Sequence, residues 1–497
     1  MPASIQKRTR ARGVEPRTGS SSRDEHASRL GLDPAFIAHV IDEHRRTTVP
    51  RLERLWAYYR NALSPRAEPS HPGACAVTRA GRWYTLAQEV GLPQRIVGTP
   101  GHLGDDRARA RREAVIENDI AWRIHLMIDF MAGRPLTIAS IARDDATRTR
   151  VERVLSAIWE SSGGVTLLQD MALLGHVYGH VDLVLRIDEG ALREIGNSGR
   201  GIDESASLDR ITRAIRIELI EPTRGIPITS PTDYRVLDAY LIHVEHDENT
   251  LDKEDSSPSS RRRHATRRRI TTLETMTPGR RIVEQDGRVV LDERSTLLPD
   301  VVPVVHVQNT SQPFRYTGVS EVEPLIPLQD ELNTRLSDRA CRVTMQSFNM
   351  YLAKGIEGFD RVPVGPGQVW STDNPDAEVT AFGGDASSPS EDAHIEQIRE
   401  AMDKASAVPP LAGGVVRARI GNLSSANALR ITLMSLLAKT ARKRLAYGRG
   451  IAELNTLILR ALDSAGVLRT SEGGRATEIR WEDPLIEIAE GNDRVTQ

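Results

Sequence analysis

The sequence predicts an α+β protein in the form of an elongated subunit: a mixed body of helices and strands, a two-helix arm, and a very long helix that returns to the body. Three observations predict it. Between Ser320 and Leu437 two amphipathic stretches flank a Gly/Pro-rich excursion, and a proline pair then precedes a run almost free of helix breakers until Gly448 and Gly450. Upstream, helical periods alternate with short strand-like runs in no regular βαβ array. The 39% hydrophobic content of the 497 residues is low for one compact globule and suits several cores in an extended chain.

In chain order, residues 1–27 are polar, mostly basic and interrupted by Ser, Gly and Pro, which predicts a disordered arm. Asp33-Pro34 supplies an N-cap followed by proline at the first helical position, and Phe36, Ile37, Val40 and Ile41 make the apolar side of the helix. After Val49-Pro50 a second helix places Leu52, Leu55, Trp56 and Tyr59 together. Ile116, Ile120, Ile124, Ile128 and Met131 trace one stripe of a helix between Glu113 and Met131, ended by Gly133 and Pro135. Residues 136–140 (LTIAS) read as a strand, and Asp145 to Ser161 as a helix ended by Gly163-Gly164. Residues 165–190 read as helix, glycine, strand and turn. From Ile211 to Leu297 short strands are expected, with turns at Pro278-Gly279 and Asp286-Gly287.

The first helix of the arm opens after Ser320, a suitable N-cap, with Pro324 and Pro327 in the first turns, where a missing N–H costs least. Leu325, Leu328, Leu332, Leu336 and Ala340 form its stripe, and Glu331 with Arg335 and Asp338 with Arg342 are acid-before-base pairs at i,i+4. From Phe348 to Phe382 the period changes to short strand-like runs broken by seven Gly and Pro residues from Gly355 to Pro375. Ser388 or Ser390 caps the second helix, which runs to about Val408 and stops at Pro409-Pro410. Ile395, Ile398 and Met402 form its apolar face, while Asp392, Glu396, Glu400 and Asp403 recur at i, i+4, i+8 and i+11 as an acidic stripe. Stacked like charges gain an isolated helix nothing. A long connection follows: Gly413-Gly414 give it freedom, Val415 and Val416 an apolar tip, Arg417 and Arg419 its cations. Ser424 and Ser425 then cap a helix to Asp463, about 58 Å long if continuous.

The order of these segments resembles the tailed-phage portal protein family of the siphovirus type: a strand PVVHVQN, a helix EPLIPLQDELNTRLSD, a Gly/Pro-rich β segment, a second helix, a Pro-Pro loop and a long helix opening GNLSSANALR. Tyr58 to Asn61 stand where portal subunits commonly carry a YYRN-like ending, and Tyr178-Gly179 where a helix–strand unit of the family's wing has them. The resemblance implies a division into a basic arm (1–27), an α+β wing (28–318) with an Arg-rich loop (252–269), a first stem helix (319–346), a clip (347–388), a second stem helix (389–408), a tunnel loop (409–424) and a long helix (425–465). Residues 466–497, where IRWEDPLIEIAE reads as a strand rejoining the wing, would stand in place of a full C-terminal crown. It also implies a homo-oligomeric ring, usually of twelve subunits, at one capsid vertex of the virion, made in the host bacterial cytoplasm. Double-stranded DNA would be packaged through it by a separate terminase and later ejected. The implied partners are the terminase large subunit, major capsid and scaffolding proteins, and a head–tail adaptor, with no membrane.

A formal net charge of −2 argues against tight, sequence-independent DNA binding as the main task and suits a channel in which DNA slides. Cys75 and Cys341, far apart, support neither a disulfide framework nor a zinc knuckle. No run approaches the length of a membrane span. The chain has no GxxxxGK[ST], HExxH, GxSxG or strand–GxGxxG–helix pattern, so no catalytic activity, cofactor or metal is expected. His176 and His180 at i,i+4 are the pair that a metal-dependent hydrolase or nuclease would use. Against it, Val177 stands where HExxH has its glutamate, Gly179 ends the helix before His180, and no third ligand is marked. A non-viral helical scaffold would lack the segment order given above. Arg261, Arg262, Arg263, Arg267, Arg268 and Arg269 lie in the charged run 252–269, which is either a solvated loop or a contact for phosphate or an acidic surface.

Overall fold

The computed structural model describes residues 32–65, 84–97, 114–198, 204–251, 265–346, 350–354, 374–382, 388–414 and 430–485. Helix α1 (Pro34–Glu43) is capped by Asp33, whose Oδ1 accepts from the Ala35 amide at 3.0 Å, and a π turn (His44–Thr48) leads into α2 (Val49–Arg60). Leu52, Leu55 and Tyr58 are its buried residues, while Trp56 and Tyr59 pack at the margin, so the inward face is turned by one residue from the expected one. Asn61 ends α2 in the left-handed region at φ 45°, which Asn tolerates better than most residues. Strands β1 (Leu63–Pro65) and β2 (Tyr84–Leu86) then pair antiparallel.

Helix α3 is Asp119–Ala132, shorter than the expected Glu113–Met131 span. Residues 114–118 stay outside the helix, where side chains of the two-helix arm take their backbone groups. Strand β3 (Leu136–Ser140) and helix α4 (Asp145–Ser161) occupy the expected ranges, and α5 (Gly164–Tyr178) ends at Gly179, φ 95°, before β4 (His180–Ile187). Where a turn was expected, Asp188 caps a further helix, α6 (Glu189–Asn197), and α7 (Glu204–Ala214) follows.

Strands β5 (Ile215–Ile220), β6 (Gly225–Thr229), β7 (Leu237–Leu251), β8 (Ala265–Thr277), β9 (Arg280–Gln285), β10 (Arg288–Arg294) and β11 (Val304–Gln308) complete two sheets, ordered β10-β9-β8-β7-β6 and β11-β4-β5. β7 and β8, of 15 and 13 residues, are long rather than short. Both predicted turns close hairpins of the larger sheet; Asp286 and Gly287, at φ 49° and 77°, form the mirror-image turn that matches strand twist. Arg267, Arg268 and Arg269 are therefore not in a loop. They belong to β8, opposite Asn249, Glu248 and Asp247 of β7, while Arg261, Arg262 and Arg263 lie outside the described residues.

The arm begins with one 3-10 turn (Glu323–Leu325) and α8 (Ile326–Gln346), and Ser320 Oγ accepts from the Val322 and Glu323 amides at 3.1 and 3.3 Å. β12 (Met350–Lys354) and β13 (Glu378–Phe382) form an antiparallel pair; residues 355–373 between them, with the VPVGPGQVW run, lie outside the described residues. Helix α9 is Pro389–Ser406, with Ser388 at the N-cap position but making no side-chain bond, and it ends at left-handed Ala407, ahead of the prolines. Helix α10 (Met434–Ser464) has 31 residues and spans about 46 Å. A turn at Leu433 separates it from the helical residues 430–432, so the continuous helix from Ser425 is not what the described residues form. Gly448 and Gly450 do not interrupt it. After it, β14 (Thr477–Trp481) pairs antiparallel with β3; it shares only residues 479–481 with the expected strand IRWEDPLIEIAE, residues 482–485 carry no strand, and residues 486–490 lie outside the described residues.

The body is built around α10. Ile451, Leu454, Ile458, Leu459 and Leu462 have no exposure and share one core with Ile120 and Ile124 of α3, Leu155 and Ile158 of α4, and Val305 and Val307 of β11. Asn455, also unexposed, accepts from Trp159 Nε1 at 2.8 Å and donates to Thr477 Oγ1 at 3.1 Å, so the polar break in the stripe is satisfied. Among the described residues no helix is long and apolar enough to cross a membrane.

Candidate functional site: the arm and its buried joint

Helices α8 and α9 pack along their apolar faces. Leu325 and Leu332 face the same core as Ile395, Ile398 and Met402, all five buried. At the rim, Arg339 meets Asp392 at 3.1 Å, Arg342 meets Glu391, and His394 lies 3.4 Å from Glu331. The predicted i,i+4 pair Glu331–Arg335 forms at 2.7 Å, whereas Asp338 turns to Arg95 at 2.7 Å.

A second, polar stripe on α8 was not read from the sequence. Gln329, Asn333 and Ser337, at i, i+4 and i+8, are almost wholly buried. Asn333 Oδ1 accepts from the Glu117 amide at 3.0 Å, Ser337 Oγ accepts from the Val115 amide at 2.9 Å, and Gln329 bonds the Ile120 amide and the Glu117 carbonyl. Asn333 also donates to Gln88 Oε1 at 3.0 Å, and Gln88 donates to the Tyr58 carbonyl at 2.7 Å. Tyr58 reaches Asp330 of α8 through its hydroxyl at 2.8 Å. The YYRN ending is thus a hub between body and arm. The i,i+4 recurrence of Gln, Asn and Ser beside the leucine stripe was the available signal, but such residues usually face water.

At the root of the arm four elements meet on buried charges. The Arg123 side chain of α3 has no exposure; its Nη2 lies 2.7 Å from Asp403 Oδ1 and 3.3 Å from Asp119 Oδ2, and its Nη1 donates to Ser406 Oγ and the Val408 carbonyl at 3.1 Å. The Asp403 contact is a close charge contact rather than an aligned hydrogen bond. Opposite, Lys439 and Lys443 of α10 hold Glu321 at 2.5 and 2.8 Å, and Lys439 also donates to the Ser406 carbonyl at 2.8 Å. Burial would push Glu321 up, but the two ammonium groups outweigh it and hold the carboxyl at about 2. Burial pushes Lys443 down to about 8 against the pull of Glu321. His176, fully enclosed beside this pair, is pushed down to about 3 by burial, with Lys443 adding to the shift.

The sequence-predicted residues fare differently. Along the acidic stripe, Glu396 and Glu400 are exposed and Asp392 pairs with α8, but Asp403 turns inward to Arg123, so the stripe ends one carboxylate early. Pro410–Gly413 form a 3-10 turn, so the connection opens with structure. Gly413 serves space rather than freedom, since a Cβ there would sit 2.4 Å from the Trp122 ring; Gly414 is the left-handed one, φ 76°. Val415, Val416, Arg417 and Arg419 lie outside the described residues. His176 and His180 are separated by the left-handed Gly179, one on α5 and one on β4; His176 Nδ1 is 2.6 Å from the Ala172 carbonyl. Among the described residues no three His, Cys, Asp or Glu side chains are grouped to hold a metal.

A family model described as phage portal protein, SPP1 Gp6-like, matches residues 38–486. No curated protein matches the chain. Among solved structures, a chain of the virion of a native gene transfer agent particle is 12% identical over 72% of this chain and 78% of its own, with a TM-score of 0.36. A chain of the neck of an empty gene transfer agent particle is 12% identical over 72% and 79%, with a TM-score of 0.39.

Proposed function

Since the chain belongs to the phage portal protein family of the SPP1 Gp6-like kind, we propose that it forms the ring at one capsid vertex through which double-stranded DNA is packaged and ejected. The observation that carries this reading within the chain is the arm: two packed helices, α8 and α9, joined through a small antiparallel strand pair and anchored by buried charges at one root. In the proposed ring, α8 and α9 are the stem, β12 and β13 belong to the clip, and the stretch after Pro409 is the tunnel loop. The mixed body with α10 is the wing.

The exposed carboxylates Glu396 and Glu400 suit a wall along which DNA must slide. Repulsion of phosphates keeps the polymer from settling there. The ring is proposed to be dodecameric and to work with a terminase that supplies ATP hydrolysis. Its further proposed partners are the major capsid and scaffolding proteins and a head–tail adaptor. Assembly would begin from subunits made in the bacterial host cytoplasm. Negative-stain imaging of the purified full chain tests the proposal: rings with a central hole are expected, and a monodisperse monomer at assembly concentrations would overturn it.

A further inference from the structure

Away from the arm, a cavity of about 910 Å³ opens between the three-stranded and five-stranded sheets. Six arginines line it: Arg186, Arg213, Arg216, Arg280, Arg281 and Arg294. Strand register sets two pairs of them face to face, Arg186 opposite Arg216 across β4 and β5, and Arg280 opposite Arg294 across β9 and β10. Residues directly opposite in an antiparallel pair share one face of the sheet, and like charges there repel.

The neighbouring acids are committed. Arg186 is held by Glu218 at 2.7 Å and by Glu274, Arg281 by Glu274 at 2.6 Å and Glu293 at 3.2 Å, and Arg280 by Asp292 at 2.7 Å. Asp188 accepts the Ala191 amide at the start of α6, and Glu189 accepts from Ser295 and Thr296. That leaves three exposed guanidinium groups. Arg213 and Arg294 have no acid partner among the described residues, and Arg216 has only a loose 3.9 Å contact with a Glu218 already engaged by Arg186.

We propose that this groove binds a phosphate-bearing polyanion, with Arg213, Arg216 and Arg294 as its ligands. Such an anion would pair with the three guanidinium groups that the neighbouring acids leave open. A guanidinium fork matches phosphate oxygens in a bidentate fashion, and a concave rim of several forks selects a ligand with several anionic groups. The phosphates could belong to a nucleic-acid backbone or to a free polyphosphate.

The test uses the full chain and three probes: inorganic tripolyphosphate by calorimetry, a short DNA duplex as competitor, and polyglutamate. Tripolyphosphate should bind wild type. The double variant Arg216→Ser/Arg294→Ser should weaken it at least roughly tenfold, Arg216→Lys/Arg294→Lys should recover part of the loss, and Arg449→Ser on α10 should leave it unchanged. Competition by the duplex assigns the site to backbone phosphates; its absence assigns the site to a free polyphosphate. The proposal is overturned if tripolyphosphate does not bind, if the double serine variant binds it as wild type does, or if polyglutamate binds as tightly. Thermal melts of both double variants guard against loss of fold as the cause.

Discussion

At the scale of the residue, buried charge governs the root of the arm. Replacing Arg123 with Ala would leave Asp403 and Asp119 without their enclosed cation and the Val408 carbonyl without its donor. Breaking a buried pair from one side costs about 3–5 kcal/mol. Chemical denaturation should therefore show a loss near the lower end of that range, because Asp403 keeps some solvent, and a loss below about 1 kcal/mol would count against the pair as an anchor. The enclosed histidines predict a pH dependence. Burial, the largest influence on each, holds His176 at about 3 and His180 at about 4, both below the ordinary 6.5, so the unfolded chain takes up protons in that window that the folded chain refuses. Stability should fall as pH drops below 6.5, by up to about 1.4 kcal/mol per pH unit for each group. Glu321 adds to the loss below 4.5, since its depressed carboxyl contributes above that value and ceases to as pH falls toward 2. Denaturation midpoints from pH 7 to 5 should flatten in His176→Gln/His180→Gln, and an unchanged slope would locate the titration elsewhere.

At the scale of the element, α10 lies so close to β11 that a Cβ at Gly450 would stand 2.3 Å from Val307 Cγ2. Gly450→Ala should therefore destabilise the body by about 1–3 kcal/mol, and Val307→Ala in the same chain should recover part of that loss. A thermal melt of the double variant no better than the single one would mean that the contact is not what limits the approach. Helices and hairpins were legible where one physical signal decided them: the Asp33-Pro34 cap, the glycine pair after α4 and the Asp286-Gly287 turn. What escaped was decided between elements. Residues 114–118 leave the helical pattern because Asn333 and Ser337, some two hundred positions away, bind their amides. Arg269 reads as part of a charged loop until Asp247 is found opposite it on a long strand. Of the candidate site, the apolar faces and the exposure of Glu396 and Glu400 on one face of α9 were legible from periodicity. The inward turn of Asp403 was not, because nothing near it in sequence announces Arg123.

At the scale of the whole molecule, the ring reading makes two demands. The β12–β13 pair has too little chain to bury a core, so a clip built from it would be stabilised by neighbouring copies. Deleting Gly355 to Phe382 should abolish rings in micrographs while the wing retains its cooperative melt; intact rings would refute a holding role. Glu396→Lys/Glu400→Lys should leave rings intact but slow DNA translocation, most at low ionic strength where screening is weakest, and normal rates at every salt concentration would remove these carboxylates from the channel wall. The buried joint also has a mechanical meaning. The arm departs at Glu321 and the chain returns at Lys439, and these two residues are bonded to each other. Tension on the arm would therefore pass from outgoing to returning chain across one clasp, and the sheets and helices of the body would be spared the peeling force that unzips a strand from its edge. Lys439 also grips the Ser406 carbonyl, so both legs of the arm are fastened to the same ammonium group, and a pull on either would be resisted in shear by the α10 face from Leu436 to Leu462 that is seated in the core.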